Sequence, residues 1–313
     1  MGLIKKPSEI TSKKTISCLI YGNPGAGKTT LACSAPNPVL FDYDGGVQRI
    51  NGAFRVPTVQ ITSWEDTQAA INEINAEMPE CQTVVIDTVG KMLDYMSAYI
   101  IKNDPKMGQR DGSLSLKGYG VRKQMFVNFI KSLAVSGRNV IFVAHEREDK
   151  RGEETVKRPE ISGSSAGDLL KELDLVGYVQ MIGKDRTVSF DPTEWYYAKN
   201  ACCLPSIIKI PKLLDDDGNV TGDNAFFCNI IRSYVNYQAK QNERVKECED
   251  LVSAIADRVN EADDLESLNA VYKDVMGLNH VSSSKVKTKQ MLAARAAQLG
   301  YKFDKLNKCF VAA

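Results

Sequence analysis

Several residue types and patterns are scarce in this 313-residue sequence, and each scarcity excludes a class of protein. No stretch approaches the roughly 18 consecutive apolar residues of a membrane span, so none is expected. The eight cysteines form no C-x-x-C pair, and His145 and His280 are the only histidines, so a structural zinc site is not expected either. The net charge of +1 lacks the basic excess typical of a dedicated nucleic-acid-binding chain.

What remains is the composition of a globular protein, with 43% hydrophobic and 25% charged residues. The first residues, MGLIKKPSEITSKK, contain lysines that no apolar run follows, so we expect no secretion signal and treat residues 1–14 as a basic arm. Cysteines scattered through apparent core segments indicate free thiols. Together these features predict a cytoplasmic protein without a membrane association.

Apolar, β-branched runs alternate with longer helical patterns over the first 230 or so residues, which predicts a mostly parallel sheet with crossover helices. The predicted strands are 15–22, 38–44, 56–61, 83–88 and 139–145. The predicted helices are 28–35, 64–77, 89–101 and 117–136.

The pattern changes beyond residue 175. Short alternating runs such as TVSFD and SIIKI predict an antiparallel extension of the sheet. From about residue 224 the spacing is helical, with helices predicted at 224–260, 264–277 and 284–299. We therefore predict an α/β core over 15–238 and a small all-α C-terminal region over 239–313. That region could form an intersubunit contact, offer a basic DNA surface, or cap the core.

The stretch LIYGNPGAGKTTLA fits the phosphate-binding pattern G-x-x-x-x-G-K-[ST] between a strand and a helix. Its glycines let backbone N–H groups surround phosphates, Lys28 supplies a cation, and Thr29 offers a hydroxyl to Mg²⁺. The sequence therefore predicts a nucleoside triphosphate site. The residues expected to bind the nucleotide are Gly22, Asn23, Pro24, Gly25, Ala26, Gly27, Lys28, Thr29 and Thr30.

Asp87 ends the apolar run VVID and is the expected carboxylate partner of Thr29 at the Mg²⁺ site. A structural alternative is the N-cap of the helix that follows, and the two roles are compatible. Many motor ATPases carry a Glu directly after this Asp, whereas here the next residue is Thr88. The carboxylate that activates water must then lie elsewhere, or hydrolysis is very weak. Asp42 and Asp44, at the end of the strand after the phosphate-loop helix, are the candidates, and we favour Asp44.

The succession GNPGAGKTT, VLFDYDGG, VVIDTVGKML and NVIFVAHE resembles the RecA/recombinase ATPase core. It is most similar to the phage RecA-like single-strand annealing ATPases, over about residues 15–212. The resemblance implies a RecA-like P-loop NTPase fold that binds ATP and Mg²⁺. It also implies that Asp44 orients water, although bacterial relatives carry Glu at that position.

The resemblance implies two further catalytic residues. His145 stands where the family places a polar sensor of the γ-phosphate, although a lone histidine at a strand end is commonly structural. Lys199, in WYYAKN, matches one of two lysines that reach a neighbouring subunit's nucleotide in RecA-type filaments; Ala201 replaces the other. The alternative for Lys199 is a solvated lysine at a strand end.

Two segments match the DNA path of RecA-type proteins by position. The first, 102–120, is long and basic, and the second follows His145. Their cations are expected to bind phosphates without sequence preference, with Tyr119 as a stacking group, although both could be ordinary solvated loops. The expected DNA-binding residues are Lys106, Arg110, Lys117, Arg122, Arg151, Lys157 and Arg158.

The leading interpretation is an ATP-dependent recombinase of the phage annealing type, with slow, DNA-stimulated ATP hydrolysis in the host cytoplasm. Its expected partners are single-stranded DNA, further copies of itself in a ring or filament, and a single-strand-binding protein. Two alternatives stay open: a regulatory or remodelling ATPase, such as a helicase loader or motor, that acts on a protein partner, and a small-molecule kinase.

Overall fold

Apolar runs between residues 17 and 182 form the centre of a mixed sheet in the computed structural model, which describes residues 3–151 and 154–313. The side chain of Arg151 lies outside the described part. Within that part, ten strands form the sheet in the order β10-β8-β7-β1-β5-β4-β2-β3, with β6 paired to β5 and β9 paired to β7. The strands are β1 (Ser17–Gly22), β2 (Pro38–Asp42), β3 (Thr58–Gln60), β4 (Thr83–Asp87), β5 (Asn139–Arg151), β6 (Glu154–Pro159), β7 (Leu175–Ile182), β8 (Asp185–Ser189), β9 (Lys199–Asn200) and β10 (Ile207–Lys209).

The strands from β3 to β7 along this order run parallel, and β8 and β10 extend the sheet antiparallel. Every residue of β1 and β4 is buried, which explains their continuous apolar composition. The predicted fold class is confirmed: a mostly parallel central sheet with an antiparallel extension, followed by a largely helical C-terminal region.

Helices between residues 28 and 172 pack beside the sheet, and two of them begin at a serine cap. The Ser63 hydroxyl accepts a hydrogen bond from the Asp66 amide, and the Ser115 hydroxyl accepts one from the Gly118 amide. One face of the sheet packs against helices through Phe126, Phe142 and other buried side chains. The helices are α1 (Lys28–Ala32), α2 (Trp64–Glu77), α3 (Val89–Asn103), α4 (Leu116–Ala134), α5 (Ser165–Glu172), α6 (Phe226–Glu261), α7 (Leu265–Met276) and α8 (Ser284–Gln298).

The chain divides into two units. The core unit comprises Lys13–Val235, and the terminal unit comprises the residues up to Ser12 together with Asn236–Ala313. The first residues, expected as a separate arm, thus group with the C-terminal region. Within the terminal unit the Asn242 side chain donates hydrogen bonds to the carbonyl of Ile10 and the hydroxyl of Ser12.

The terminal unit differs from the prediction of an all-α region. Its helices pack around Ile255, Leu268 and Phe310, but the chain ends in an antiparallel hairpin of β11 (Tyr301–Asp304) and β12 (Cys309–Ala312). Phe303 and Phe310 face each other in that hairpin, with ring centroids 5.1 Å apart. The prediction of a helical region is therefore borne out, but it missed this terminal hairpin, because short strands on either side of a Lys-rich turn give little periodic signal.

The segment after His145 also differs from the prediction. It is a hairpin of β5 and β6, not a loop, with Glu146 opposite Pro159 and Arg151 opposite Glu154. Charged residues have weak strand propensity, so the sequence favoured a loop. Opposite charges on the two strands provide the cross-strand pairs that stabilise the hairpin.

Among the described residues, no helix has both the length and the apolar character needed to cross a membrane.

Candidate functional site

The phosphate loop connects the end of β1 to the start of α1. Gly25 and Gly27 adopt positive φ angles of 77° and 78°, which favour glycine. Gly22 meets a different constraint, since a Cβ there would lie 2.3 Å from the carbonyl oxygen of Val179 on β7. The glycines therefore permit both the turn of the loop and the close approach of β7.

Lys28 is almost completely buried at the start of α1. Its ammonium donates hydrogen bonds to the carbonyl oxygens of Gly22 (2.9 Å) and Asn23 (2.8 Å), so the loop closes on its own lysine. Burial lowers the pKa of Lys28 from its ordinary value. A phosphate group at this position would supply a full negative charge, whereas the two carbonyl oxygens carry only partial charges.

Thr29 and Asp87 meet at the carboxyl edge of the sheet. The Thr29 hydroxyl donates a hydrogen bond of 2.5 Å to Oδ2 of Asp87, which is 4% exposed. Burial raises the pKa of Asp87, and the hydrogen bond from Thr29 partly opposes that shift. The helix cap is a different residue, because Oγ1 of Thr88 accepts the hydrogen bond from the Lys91 amide. Asp87 is therefore not occupied as the N-cap of α3.

The two candidate carboxylates at the end of β2 have different surroundings. Asp42 is buried, and its carboxylate accepts hydrogen bonds from the backbone amides of Asp44, Gly46 and Val47. The carboxylate of Asp44 instead lies 3.5 Å from Nε2 of His145 and 4.0 Å from Arg49. Asp42 therefore organises the turn, and Asp44 is the carboxylate free to face a bound ligand.

His145 lies beside Gly22 in the parallel pairing of β1 and β5. Its Nδ1 is buried and has no hydrogen-bond partner among the described residues. Parallel strands bring their carboxyl ends to one edge, and the register places Asp42 beside Asp87 and Asp87 beside Val143, two residues before His145. Four neighbouring strand ends therefore meet at this edge, and three of them, those of β2, β4 and β5, carry polar side chains.

Asp44, Asp87 and His145 line one cavity of about 440 Å³ together with the phosphate loop, whereas Asp42 does not line it. It combines loop backbone, cations and carboxylates, the donor set expected for a triphosphate and a hard divalent cation. Thr29 and Asp87 fit Mg²⁺ in particular, since a buried carboxylate with a raised pKa gains from a nearby cation. The predicted residues that line the cavity are Pro24, Gly25, Gly27, Lys28, Thr29, Thr30, Asp44, Asp87 and His145.

Lys199, the fourth predicted catalytic residue, does not line this cavity. It pairs with Val176 on β7, and its ammonium donates hydrogen bonds to the carbonyl oxygens of Leu170 and Leu173 at the end of α5. In the core unit it therefore caps a helix C-terminus, a position that favours a cation. Action on a neighbouring subunit's nucleotide stays a prediction.

The first predicted DNA-binding segment is an ordered connection between α3 and α4. A short 3-10 turn covers Pro105–Met107, and Gly108 pairs with Leu114. Lys106, Arg110 and Lys117 are exposed. Arg122 is 6% exposed, donates hydrogen bonds to the hydroxyls of Ser97 and Ser162, and stacks on Tyr119. Arg122 therefore lacks the exposed position that is expected of a residue that binds a phosphate backbone.

The second predicted segment is the β5–β6 hairpin, and its cations are paired with carboxylates. Lys157 contacts Glu146 at 2.9 Å and Glu148 at 2.5 Å, and these carboxylates raise its pKa. Arg158 lies 3.4 Å from Asp149. The expectation of a freely basic loop is therefore not met at Lys157 and Arg158, and the side chain of Arg151 lies outside the described residues.

Sequence reasoning missed two cations beside the phosphate loop. Arg49, at the end of a 3-10 turn over Gly46–Arg49, lines the cavity near Asp44. Arg186, on β8, reaches the loop at Gly27. The GG in DYDGG indicated a turn near Arg49, but the sequence around Arg186 carried no signal that β8 lies beside the loop.

Comparisons with known proteins support the identification of the phosphate loop. A family model described as "AAA domain" matches residues 14–202. The SPbeta prophage-derived uncharacterized protein YorG of Bacillus subtilis strain 168 is 29% identical over 140 residues, which are 42% of this chain. The chain spans only 42% of that relative's length.

Among solved structures, a KaiC-like protein from the hyperthermophilic archaeon Pyrococcus horikoshii has a TM-score of 0.37 and 11% identity. The match covers 63% of this chain and 89% of that one. At that TM-score the superposition is too loose to support conclusions about mechanism.

Proposed function

This chain belongs to the AAA domain family, whose model matches residues 14–202, and on that premise we propose that it is a Mg²⁺-dependent ATPase coupled to single-stranded DNA. One observation carries the proposal. A single cavity at the carboxyl edge of the sheet is lined by side chains from four separate stretches of the sequence: Lys28 with Thr29, Asp44, Asp87 and His145.

Each of these residues has its own role in binding or hydrolysing ATP. The loop amides and Lys28 bind the β- and γ-phosphates, and Thr29 with Asp87 would hold Mg²⁺, which neutralises charge that develops on the phosphates. Asp44 orients and deprotonates the attacking water. His145, 3.5 Å from Asp44, donates a hydrogen bond to the γ-phosphate and so reports its presence. Because Thr88 replaces the Glu that many motor ATPases carry after this Asp, we expect slow hydrolysis.

Connectivity supports the coupling to DNA. Helix α3 begins directly after Asp87 and Thr88 and leads into the segment with the exposed Lys106, Arg110 and Lys117. The β5–β6 hairpin begins directly after His145. Arg122, which donates to Ser97 on α3 and to Ser162 after β6, ties the two segments together. A change at the γ-phosphate can therefore bias both segments at once.

We propose that the DNA partner is single-stranded and that the protein acts as an oligomeric recombinase or annealing protein of phage type in the host cytoplasm. Similarity to a prophage-derived protein supports the phage setting. A single-strand-binding protein is a further partner in this proposal, and Lys199 would act on a neighbouring subunit. Rings or filaments that require ATP and DNA in electron micrographs are the expected assemblies.

The carboxylate partners of Lys157 and Arg158 favour a second candidate function. A hairpin with balanced charge suits a protein surface better than a phosphate backbone. In that case the chain is a regulatory or remodelling ATPase, and a protein partner stimulates its turnover.

The experiment is a titration of fluorescent ATP, with phosphate release measured with and without oligo-dT in Mg²⁺. We expect Lys28→Ala to lose nucleotide binding, because the loop then lacks its cation, while Lys91→Ala, an exposed lysine on α3, binds normally. Wild-type turnover should rise with oligo-dT. Unchanged affinity in Lys28→Ala would refute the site, and turnover indifferent to DNA would favour the second candidate.

A further inference from the structure

A second, larger cavity adjoins the phosphate loop within the core unit. Its volume is about 1010 Å³, and it shares Gly27, Thr30, Arg49 and Ile50 with the cavity already described. Asp44, Asp87 and His145 do not line it. The second cavity therefore lies on the side of the loop away from these three residues, which are assigned to the γ-phosphate and Mg²⁺. In the proposed nucleotide site, the α-phosphate and the nucleoside of a bound nucleotide would lie on that side.

Cations are abundant in this cavity, but several have partners within the protein. Arg55 donates hydrogen bonds to the carbonyl oxygens of Gln48 and Ile50. Lys209 pairs with Asp185 at 2.7 Å, and Lys212 pairs with Asp216 at 2.8 Å. These three cations stabilise the walls of the cavity and are not free for a ligand.

Arg186 differs from those three. Within the described parts of the chain, its guanidinium forms no hydrogen bond or ion pair, although it lies against the phosphate loop. A Cβ built on Gly27 would lie 2.7 Å from Nη1 of Arg186. An arginine that reaches over a loop glycine without a protein partner is placed to bind something that the loop itself binds.

The position of Arg186 is fixed by a tight hairpin. β7 and β8 are joined by a two-residue turn of Gly183 and Lys184, in which Gly183 has a φ of 61°. The pairing places Arg186 opposite Met181, and the next residue, Thr187, is buried. The turn thus sets the register that brings the guanidinium to Gly27.

The charge balance of the site favours an additional cation. Lys28 and Arg49 are the lysine and arginine side chains that line the phosphate-loop cavity, and the carboxylates of Asp44 and Asp87 oppose them. The magnesium complex of a nucleoside triphosphate still carries net negative charge. A guanidinium can bind two phosphate oxygens at once, and such charge-assisted bonds are strong.

We propose that Arg186 is a nucleotide-contacting residue, which the β7–β8 hairpin of the same chain supplies to the α- and β-phosphates. This inference rests on the proposed nucleotide site. It separates the two sides of the loop: Asp44 and His145 serve the γ-phosphate, whereas Arg186 serves the phosphates shared by ADP and ATP. Arg186 therefore contributes to affinity and not to the hydrolytic step.

The test compares ADP, ATP and adenosine binding by calorimetry for wild type, Arg186→Ala, Arg186→Lys and Lys184→Ala. Lys184→Ala is the matched control, since it removes a positive charge from the same hairpin and the same cavity, whereas the contact with Gly27 belongs to Arg186. We expect Arg186→Ala to weaken the binding of ADP and of ATP by a similar factor of about ten or more. Arg186→Lys should lose an intermediate amount of affinity, and Lys184→Ala should bind both nucleotides almost as wild type does. In phosphate-release assays KM should rise and kcat should stay within about twofold.

Three outcomes would overturn the inference. Arg186→Ala with wild-type affinity for ADP, and an unchanged circular dichroism melt, would remove the contact. Equal losses in Arg186→Ala and Lys184→Ala would mean that the general charge of the cavity is responsible. A loss confined to ATP would move Arg186 to the γ-phosphate. Failure of the wild type to bind any nucleotide would instead refute the proposed function itself.

Discussion

Asp87 is a buried carboxylate, and among the described residues its side chain accepts one side-chain hydrogen bond, from Thr29. Burial raises its pKa, so the charged form is disfavoured in the folded protein. Such a group destabilises the fold above its folded pKa, and this cost disappears as the pH falls and the carboxylate becomes protonated. The residue is thus better suited to hold a cation than to stabilise the empty protein.

We therefore predict that Asp87→Asn stabilises the nucleotide-free protein at pH 7 while abolishing Mg²⁺-dependent hydrolysis. The amide oxygen still accepts the Thr29 hydrogen bond but carries no charge, so we expect a gain of about 1 kcal/mol. Thermal unfolding across pH measures this effect, and the gain should vanish toward acid pH. A destabilised variant at pH 7 would contradict the explanation.

Asp42 and Asp44 allow a paired prediction, because they share a residue type but not an environment. Asp42→Asn loses charge-assisted bonds from backbone amides and should destabilise the core unit by about 2 kcal/mol. Asp44→Asn should stay within about 0.5 kcal/mol of wild type yet slow ATP turnover by about 10²-fold or more. Urea unfolding and phosphate release check both. Normal turnover in Asp44→Asn would move the base elsewhere.

The sequence predicted some of these residues better than others for a physical reason. Lys28 and Thr29 follow from local spacing, because the loop that holds them is contiguous. Asp87 follows from its place after an apolar strand. The choice between Asp42 and Asp44 depends on how the backbone turns after β2, which no pattern records. Arg186 is brought to Gly27 by tertiary pairing, more than 150 residues along the chain.

At the scale of elements, the two segments predicted to bind DNA differ in their free charge. The connection between α3 and α4 exposes Lys106, Arg110 and Lys117, whereas Lys157 and Arg158 of the β5–β6 hairpin face carboxylates. The sequence placed both segments at the correct strand and helix ends. It could not show that alternating charges would pair across a hairpin, because that depends on register.

We predict that Arg110→Glu combined with Lys117→Glu weakens oligo-dT binding and lowers its dependence on salt, since each lost phosphate contact removes about one unit of slope. Fluorescence anisotropy at several salt concentrations measures both quantities. Lys131→Glu with Lys171→Glu, exposed lysines elsewhere on the core unit, gives the same change in charge and should have little effect. Equal losses in the two double variants would point to net charge alone.

At the scale of the whole molecule, the proposed nucleotide site belongs to one unit. Every residue that lines the phosphate-loop cavity falls within Lys13–Val235. The terminal unit has its own apolar core, around Leu268 and Phe310. It also exposes Lys285, Lys287 and Lys289 on α8. The two units therefore offer separable features: the cavity of the proposed nucleotide site in one, and a cationic surface on α8 in the other.

We predict that a fragment of residues 13–235 binds ATP within about threefold of the full chain, because the fragment keeps every group that meets the phosphates. Fluorescent-nucleotide titration measures the affinity, and circular dichroism checks that the fragment folds. Oligo-dT binding by the same fragment then locates the DNA surface. Retained oligo-dT binding assigns the DNA surface to the α3–α4 connection. Loss of DNA affinity with intact ATP affinity assigns the DNA surface to the terminal unit. A folded fragment without ATP affinity would contradict a nucleotide site confined to the core unit.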